Sequence, residues 1–236
     1  MAAVTLLEAR GLRRSFGGLR AVDGVDLDLE DRGIHALIGP NGAGKTTLVS
    51  LLCGRLLPDA GRITFAGRDI TRLPAHVRAR LGIAYTFQIT AIFPRLPVFD
   101  NVALAVQRRG ARDLGPETLA ALARVGLDDR ASQTAGTLAY GHQRLLEIAM
   151  GLALAPRLLI LDEPTQGLAA GEIEGFKALV RDIAETAAVL LIEHNMEVVM
   201  DLARRITVLV AGRTLATGTP AAIRADGAVQ AAYLGP

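Results

Sequence analysis

The chain has 236 residues, 50% of them hydrophobic, which suits one or two domains around a sizeable core. Its 26 basic and 24 acidic residues leave a net charge of +2 with no basic run or aromatic-rich patch, so nucleic acid is not an implied partner. A single cysteine, Cys53, excludes an internal disulfide framework and suits a reducing compartment; no apolar run approaches the roughly 20 residues of a spanning helix, and Met1 to Arg10 lack a signal-peptide core.

In chain order, Val4 to Leu7 and Val25 to Leu29 carry strand patterning, and Ala21-Val22-Asp23-Gly24 between them reads as a turn. Phe16, in Ser15-Phe16-Gly17-Gly18, is an aromatic among glycines in a chain with only 4% aromatic residues. It suits either a surface for stacking a base or an ordinary core or loop phenylalanine. Ile34-His35-Ala36-Leu37-Ile38 reads as a buried strand, and Leu48 to Leu52 as a helix. Between them, Gly39-Pro40-Asn41-Gly42-Ala43-Gly44-Lys45-Thr46-Thr47 matches G-x-x-x-x-G-K-[ST]. Strand, glycine loop and helix in that order let backbone N–H groups wrap a polyphosphate at a helix N-terminus. Lys45 would reach the terminal phosphates and the Thr46 hydroxyl a magnesium ion. Lys45 and Lys177 are the only lysines in a chain whose other basic residues are all arginines. A compact ammonium at this position therefore marks a specific role, with ATP and GTP both open as ligands.

Further on, Pro58-Asp59-Ala60-Gly61 is a turn, Arg62 to Phe65 and Arg68 to Ile70 form a hairpin around Ala66-Gly67, and Ala75 to Arg80 read as a short helix. Leu81 to Gln88 reads as a strand ending in a polar amide. The composition then turns helical, with apolar helical spacing over Asn101 to Gln107, Glu117 to Val125 and Gln143 to Leu154. From Arg157, apolar strands Leu158 to Leu161, Val189 to Ile192 and Ile206 to Val210 alternate with helices Gly171 to Thr186 and Met196 to Arg204. Arg213 to Thr217 adds a last strand and Pro220 to Arg224 a short helix, with the chain ending soon after Tyr233. The expected fold is α/β: a P-loop parallel-sheet core with an N-terminal antiparallel β subdomain and an inserted helical subdomain.

Three further clusters carry chemistry. Leu158 to Glu163 is an apolar strand ending in adjacent carboxylates, where a parallel sheet presents its ligands. Asp162 would hold magnesium, and Glu163 would orient or deprotonate an attacking water. Leu138-Ala139-Tyr140-Gly141-His142, before a helix, is a second anion site. Two phosphate sites with one P-loop point to a composite site built from two subunits. His194, after the strand ending at Ile192, sits where it can reach a terminal phosphate or the water. His35 and His76 read as structural, and Cys53 as a small packed hydrophobe.

These motifs, in this order, resemble the nucleotide-binding subunits of ABC transporters over essentially the whole chain. The correspondence comprises the Walker A loop at Gly39 to Thr46, the Gln88 loop, the signature at Leu138 to His142, Walker B at Leu158 to Glu163, the D-loop near Gly167-Leu168 and the switch His194. Phe16 falls where that family places its adenine-stacking aromatic. The resemblance implies one cassette over residues 1–236: a nucleotide-binding core with its β subdomain at 1–88 and 157–236, and a helical subdomain carrying the signature at 89–156. It implies ATP and Mg2+ as ligands, with Thr46, Gln88 and Asp162 organising the metal, Lys45 and Glu163 serving hydrolysis, and His194 sensing the terminal phosphate. It also implies a second cassette, permease subunits gripped around Gln88, an external solute-binding protein, and a peripheral position at the cytoplasmic face of the cell membrane.

Within the family, Phe16-Gly17-Gly18-Leu19, Thr86-Phe87-Gln88, Tyr140-Gly141 and Ile192-Glu193-His194-Asn195-Met196 resemble ATPases of branched-chain amino acid importers. Urea or amide importers and non-transport ABC ATPases are the alternatives. The signature departs from Leu-Ser-Gly-Gly-Gln: Ala139 lacks a hydroxyl for the terminal phosphate and His142 replaces an amide. One lost bond to a charged group is worth on the order of 1.5–3 kcal/mol, so slower hydrolysis or weaker closure is expected.

Overall fold

Two sheets organise the computed structural model, which describes residues 4–86 and 91–234. The smaller contains β1 (Thr5–Phe16), β2 (Leu19–Glu30), β4 (Ala60–Phe65) and β5 (Arg68–Asp69), antiparallel in the order β2-β1-β4-β5. The larger contains β3 (Gly33–Ile38), β6 (Ile83–Thr86), β7 (Leu158–Asp162), β8 (Ala188–Ile192), β9 (Arg205–Val210) and β10 (Arg213–Gly218). Its order is β10-β9-β3-β8-β7-β6, parallel apart from the antiparallel β9–β10 pair.

Alternation along β7 shows how the sheet divides two cores. Leu159 and Leu161 join the core beneath α3 (Val98–Arg109), α4 (Leu114–Arg124), α5 (Tyr140–Ala153) and α6 (Ala170–Thr186), with Val102, Leu122, Leu146 and Phe176. Leu158 and Ile160 face the antiparallel sheet and α1 (Lys45–Cys53), among Leu7, Leu12, Leu27, Leu48 and Leu52. The phosphate-loop helix is thus sandwiched between the sheets. Its C-terminal carbonyls are satisfied by the fully buried Arg78 of α2 (Ala75–Arg80), which donates to Leu51 O at 2.6 Å and Leu52 O at 2.8 Å. A third cluster packs α7 (Met196–Leu202), α8 (Pro220–Ala225) and α9 (Gly227–Leu234) on β9 through Val199, Ile206, Ile223 and Val229.

The first hairpin differs from the sequence expectation. Ala21 to Gly24 lie inside β2, and the chain turns at Gly17-Gly18, where Phe16 pairs with Leu19. The Asp23-Gly24 step is absorbed as a bulge instead: Leu12 pairs with Val25 and Arg13 with Asp23, leaving Gly24, at φ 75°, unopposed. The second hairpin turns at Ala66 and Gly67 as expected, with φ of 51° and 76°. Helix α9 was not expected; Asp226 starts it by accepting the N–H groups of Ala228 and Val229. Among the described residues, no helix is long and apolar enough to cross a membrane.

Candidate nucleotide site

The loop from Gly39 to Thr47 follows β3 and leads directly into α1. Glycine is required at two points by close backbone approach. A Cβ on Gly44, which has φ 99° and begins α1, would lie 2.2 Å from Ala21 O; one on Gly39 would lie 2.1 Å from Leu209 O. The Lys45 ammonium lies across the loop, donating to Gly39 O at 2.6 Å and Pro40 O at 3.1 Å. Burial lowers its pKa, opposed by the charges of Glu163 and Asp162. Ala43 is buried, whereas Asn41, Gly42 and Thr46 are exposed at the surface a ligand would meet.

Strand β7 delivers Asp162 and Glu163 to the same edge, two positions along the sheet from β3. Asp162 is buried, and that burial raises its pKa, with the Glu163 charge adding to the effect. The Tyr85 hydroxyl, which donates to Asp162 Oδ2 at 2.7 Å, and the charges of Arg144 and Lys45 act in the opposite direction. Glu163 takes a left-handed conformation, φ 48°, and its N–H donates to Ile192 O at 2.9 Å. This turn sets Glu163 Oε1 3.9 Å from Nδ1 of the exposed His194.

The signature segment sits at the start of α5, three residues earlier than the helical spacing suggested. Leu138 is buried and Ala139 occupies the N-cap position without a side-chain oxygen to offer. Tyr140, 45% exposed, covers Gly167, and Gly141 lies against the Glu172 carboxylate. Nδ1 of His142 is buried with no hydrogen-bond partner among the described residues. The segment therefore packs on the Gly167 loop and α6. Phe16 stands at the tip of the first hairpin, 45% exposed, with the Arg14 guanidinium 5.0 Å from its ring centroid. Ala21, on the returning strand, lies against the phosphate loop at Gly44. Gln88 lies outside the described residues.

The structure thus assembles Lys45, Asp162, Glu163 and His194 at one sheet edge. It also reveals contributors that sequence reasoning missed. Besides Tyr85, the buried Arg144 donates to the carbonyls of Asp162 at 2.8 Å and Glu163 at 3.1 Å, and to Glu147 Oε2 at 2.9 Å. Glu193 gathers four donors from two loops. The available signal for Arg144 was a charge on the apolar face of a helix; for Glu193, an acid closing an apolar strand.

A phosphate loop after one parallel strand and paired acids after another define a P-loop nucleotide hydrolase. The family described as ABC transporter matches residues 22–166, and the one described as branched-chain amino acid ATP-binding cassette transporter matches residues 213–235. BraF of Pseudomonas aeruginosa, a high-affinity branched-chain amino acid transport ATP-binding protein, is 40% identical, with 98% of each chain covered. LivG of Escherichia coli K12, of the same description, is 38% identical with the same coverage. The crystal structure of the ADP conformation of MJ1267, an ATP-binding cassette of an ABC transporter, superposes with a TM-score of 0.88 at 25% identity, covering 99% of this chain and 100% of that one. The chain belongs to the ABC transporter family as an ATP-binding, ATP-hydrolysing subunit.

Proposed function

We propose that this chain powers the import of branched-chain or other hydrophobic amino acids, and that two cassettes clamp two ATP molecules between the glycine loop of one and the signature of the other. The observation that carries the transport reading is full-length similarity to two branched-chain amino acid transport proteins, together with the match at residues 213–235. In this reading, residues 1–88 and 157–236 hold the nucleotide and 89–156 present the signature. The region around Gln88 meets the permease at the cytoplasmic membrane face, and a solute-binding protein acts from outside.

The donor set fits Mg2+: the exposed Thr46 hydroxyl and the Asp162 carboxylate are hard oxygen ligands beside a phosphate loop, and Gln88 would complete them. Among the described residues no three His, Cys, Asp or Glu side chains form a metal cage, in keeping with an ion held largely by water and phosphate. When bound, Mg2+ would neutralise phosphate charge. Phe16 stacks the adenine. Backbone N–H groups of residues 41–47 and the Lys45 ammonium, exchanging its carbonyl partners for phosphate oxygens, stabilise charge on the terminal phosphate. Glu163 accepts a hydrogen bond, then the proton, from the attacking water, and His194 orients the phosphate beside it.

Copurification with its permeases and reconstitution in liposomes tests this. ATP turnover is expected to rise when a branched-chain amino acid is supplied with its binding protein. Glu163→Gln should lower turnover by roughly 100-fold or more while ATP affinity stays within about threefold. Turnover that ignores such amino acids would count against the substrate reading, and rapid turnover by Glu163→Gln against the assigned base.

A further inference from the structure

Glu193 closes β8 with a carboxylate only 1% exposed. Oε1 accepts the N–H of Thr165 at 3.0 Å and the Thr165 hydroxyl; Oε2 accepts the N–H groups of His194 at 2.9 Å and Asn195 at 3.0 Å. These four donors occupy all four acceptor positions of an ionised carboxylate. Burying that charge carries a desolvation cost, offset here by bonds that tie together the loops following the paired strands β7 and β8. An apolar residue would continue the apolar run of β8 at lower cost, so packing alone does not explain an acid here. The two loops are those that carry the reacting groups. Thr165 lies two residues beyond Glu163, His194 follows Glu193 directly, and Asn195 caps α7 by accepting the Glu197 N–H at 3.1 Å.

We propose that Glu193 is a positioning residue that fixes His194 against Glu163, setting the separation of Nδ1 and Oε1, 3.9 Å in this structure, on which turnover depends. The clamp also reaches the signature, because Thr165 leads to Gly167 beneath the Tyr140 ring. The inference rests on the roles given above to Glu163 and His194. A glutamine at 193 has the same shape, but its NH2 group meets either the Thr165 N–H or the N–H groups of both His194 and Asn195, so it forfeits one or two of the four bonds. Thr165→Val is milder, deleting only the hydroxyl bond.

The test is a set of double-mutant cycles read as kcat, KM and ATP affinity. Glu193→Gln and Thr165→Val are each expected to lower kcat by roughly 10- to 100-fold with ATP affinity within about threefold, since a small misplacement of a reacting group costs about that much. Thr165→Ser, which keeps the hydroxyl, should restore kcat to within about twofold of the unmodified chain. In a His194→Ala background neither Glu193→Gln nor Thr165→Val should lower kcat further. Losses that multiply in that background, with His194→Ala itself slow, would overturn the proposal while leaving the role of His194 intact. A His194→Ala chain at the unmodified rate would overturn both. Thr165→Ser as slow as Thr165→Val would also overturn it, because the hydroxyl would then not be the coupling group. Should Glu193→Gln fail to fold, the Thr165 pair decides the question alone.

Discussion

His35 lies within β3, the strand that feeds the phosphate loop, 7% exposed and with Nε2 2.9 Å from Thr207 Oγ1. Thr207 Oγ1 is in turn 3.1 Å from Thr217 Oγ1, so the ring belongs to a polar chain crossing β3, β9 and β10. Burial, reinforced by the nearby Arg205 charge and opposed by Asp28, pushes its pKa down to about 4. The native state therefore holds the ring neutral. Between pH 6.5 and about 4 the unfolded chain takes up a proton that the folded chain refuses, so this contribution is full above 6.5 and is lost as the pH falls. Urea unfolding should show a loss of about 2 kcal/mol between pH 7 and pH 5, and His35→Gln should remove most of that slope. Asp23, Asp69 and Asp201, each held below the usual carboxylate range by hydrogen bonds, lose their contributions mainly at lower pH. An unchanged slope in His35→Gln would assign the effect to other groups. The sequence identified His35 as structural but could not show its partner, because Thr207 is 172 residues away and meets it only through β3–β9 pairing.

At the scale of elements, legibility followed how local the cause was. The glycine loop, the Ala66-Gly67 turn and the buried strands β3, β7 and β8 were readable because neighbouring residues dictate them. The first turn was misplaced because Asp23-Gly24 carries a strong turn signal that only pairing with β1 converts into a bulge. Helix α5 starts earlier than its apolar spacing suggests, and its second turn is anchored by Arg144 through a long-range contact to the end of β7. The guanidinium and the Glu147 carboxylate are both within 5% of full side-chain burial, and the same guanidinium holds the two carbonyls that orient Asp162 and Glu163. Arg144→Met preserves much of the apolar stem but leaves the Glu147 charge without this cation. Removal of one partner from a buried pair costs about 3–5 kcal/mol, so the urea midpoint should fall accordingly, and turnover should fall with it at unchanged ATP affinity. A loss below about 1 kcal/mol would show that Arg144 is replaceable as the anchor between α5 and the acid-bearing strand.

For the whole molecule, the decisive contrast is between a complete and an incomplete phosphate site. The glycine loop has its lysine, and both acids stand at the same sheet edge, whereas the segment from Leu138 to His142 packs on Gly167 and Glu172 of its own chain and turns Ala139 and Tyr140 outward. An exposed helix N-terminus without a lysine of its own suits a phosphate held by another subunit. The Glu163→Gln chain, hydrolysing slowly, should therefore pass from 24.9 kDa to about twice that mass by light scattering when ATP is added, and Lys45→Ala should prevent it. Ala139→Ser then separates two effects. As an N-cap, serine would stabilise α5 in the monomer by about 0.5–2 kcal/mol without nucleotide. As a donor to the partner's ATP, it would add about 1.5–3 kcal/mol to the clamped state alone, lowering the ATP concentration for half-maximal dimerisation by roughly tenfold or more. A higher unfolding temperature with no change in that ATP concentration would place the hydroxyl at the helix end only, and the signature would then not reach the neighbouring nucleotide.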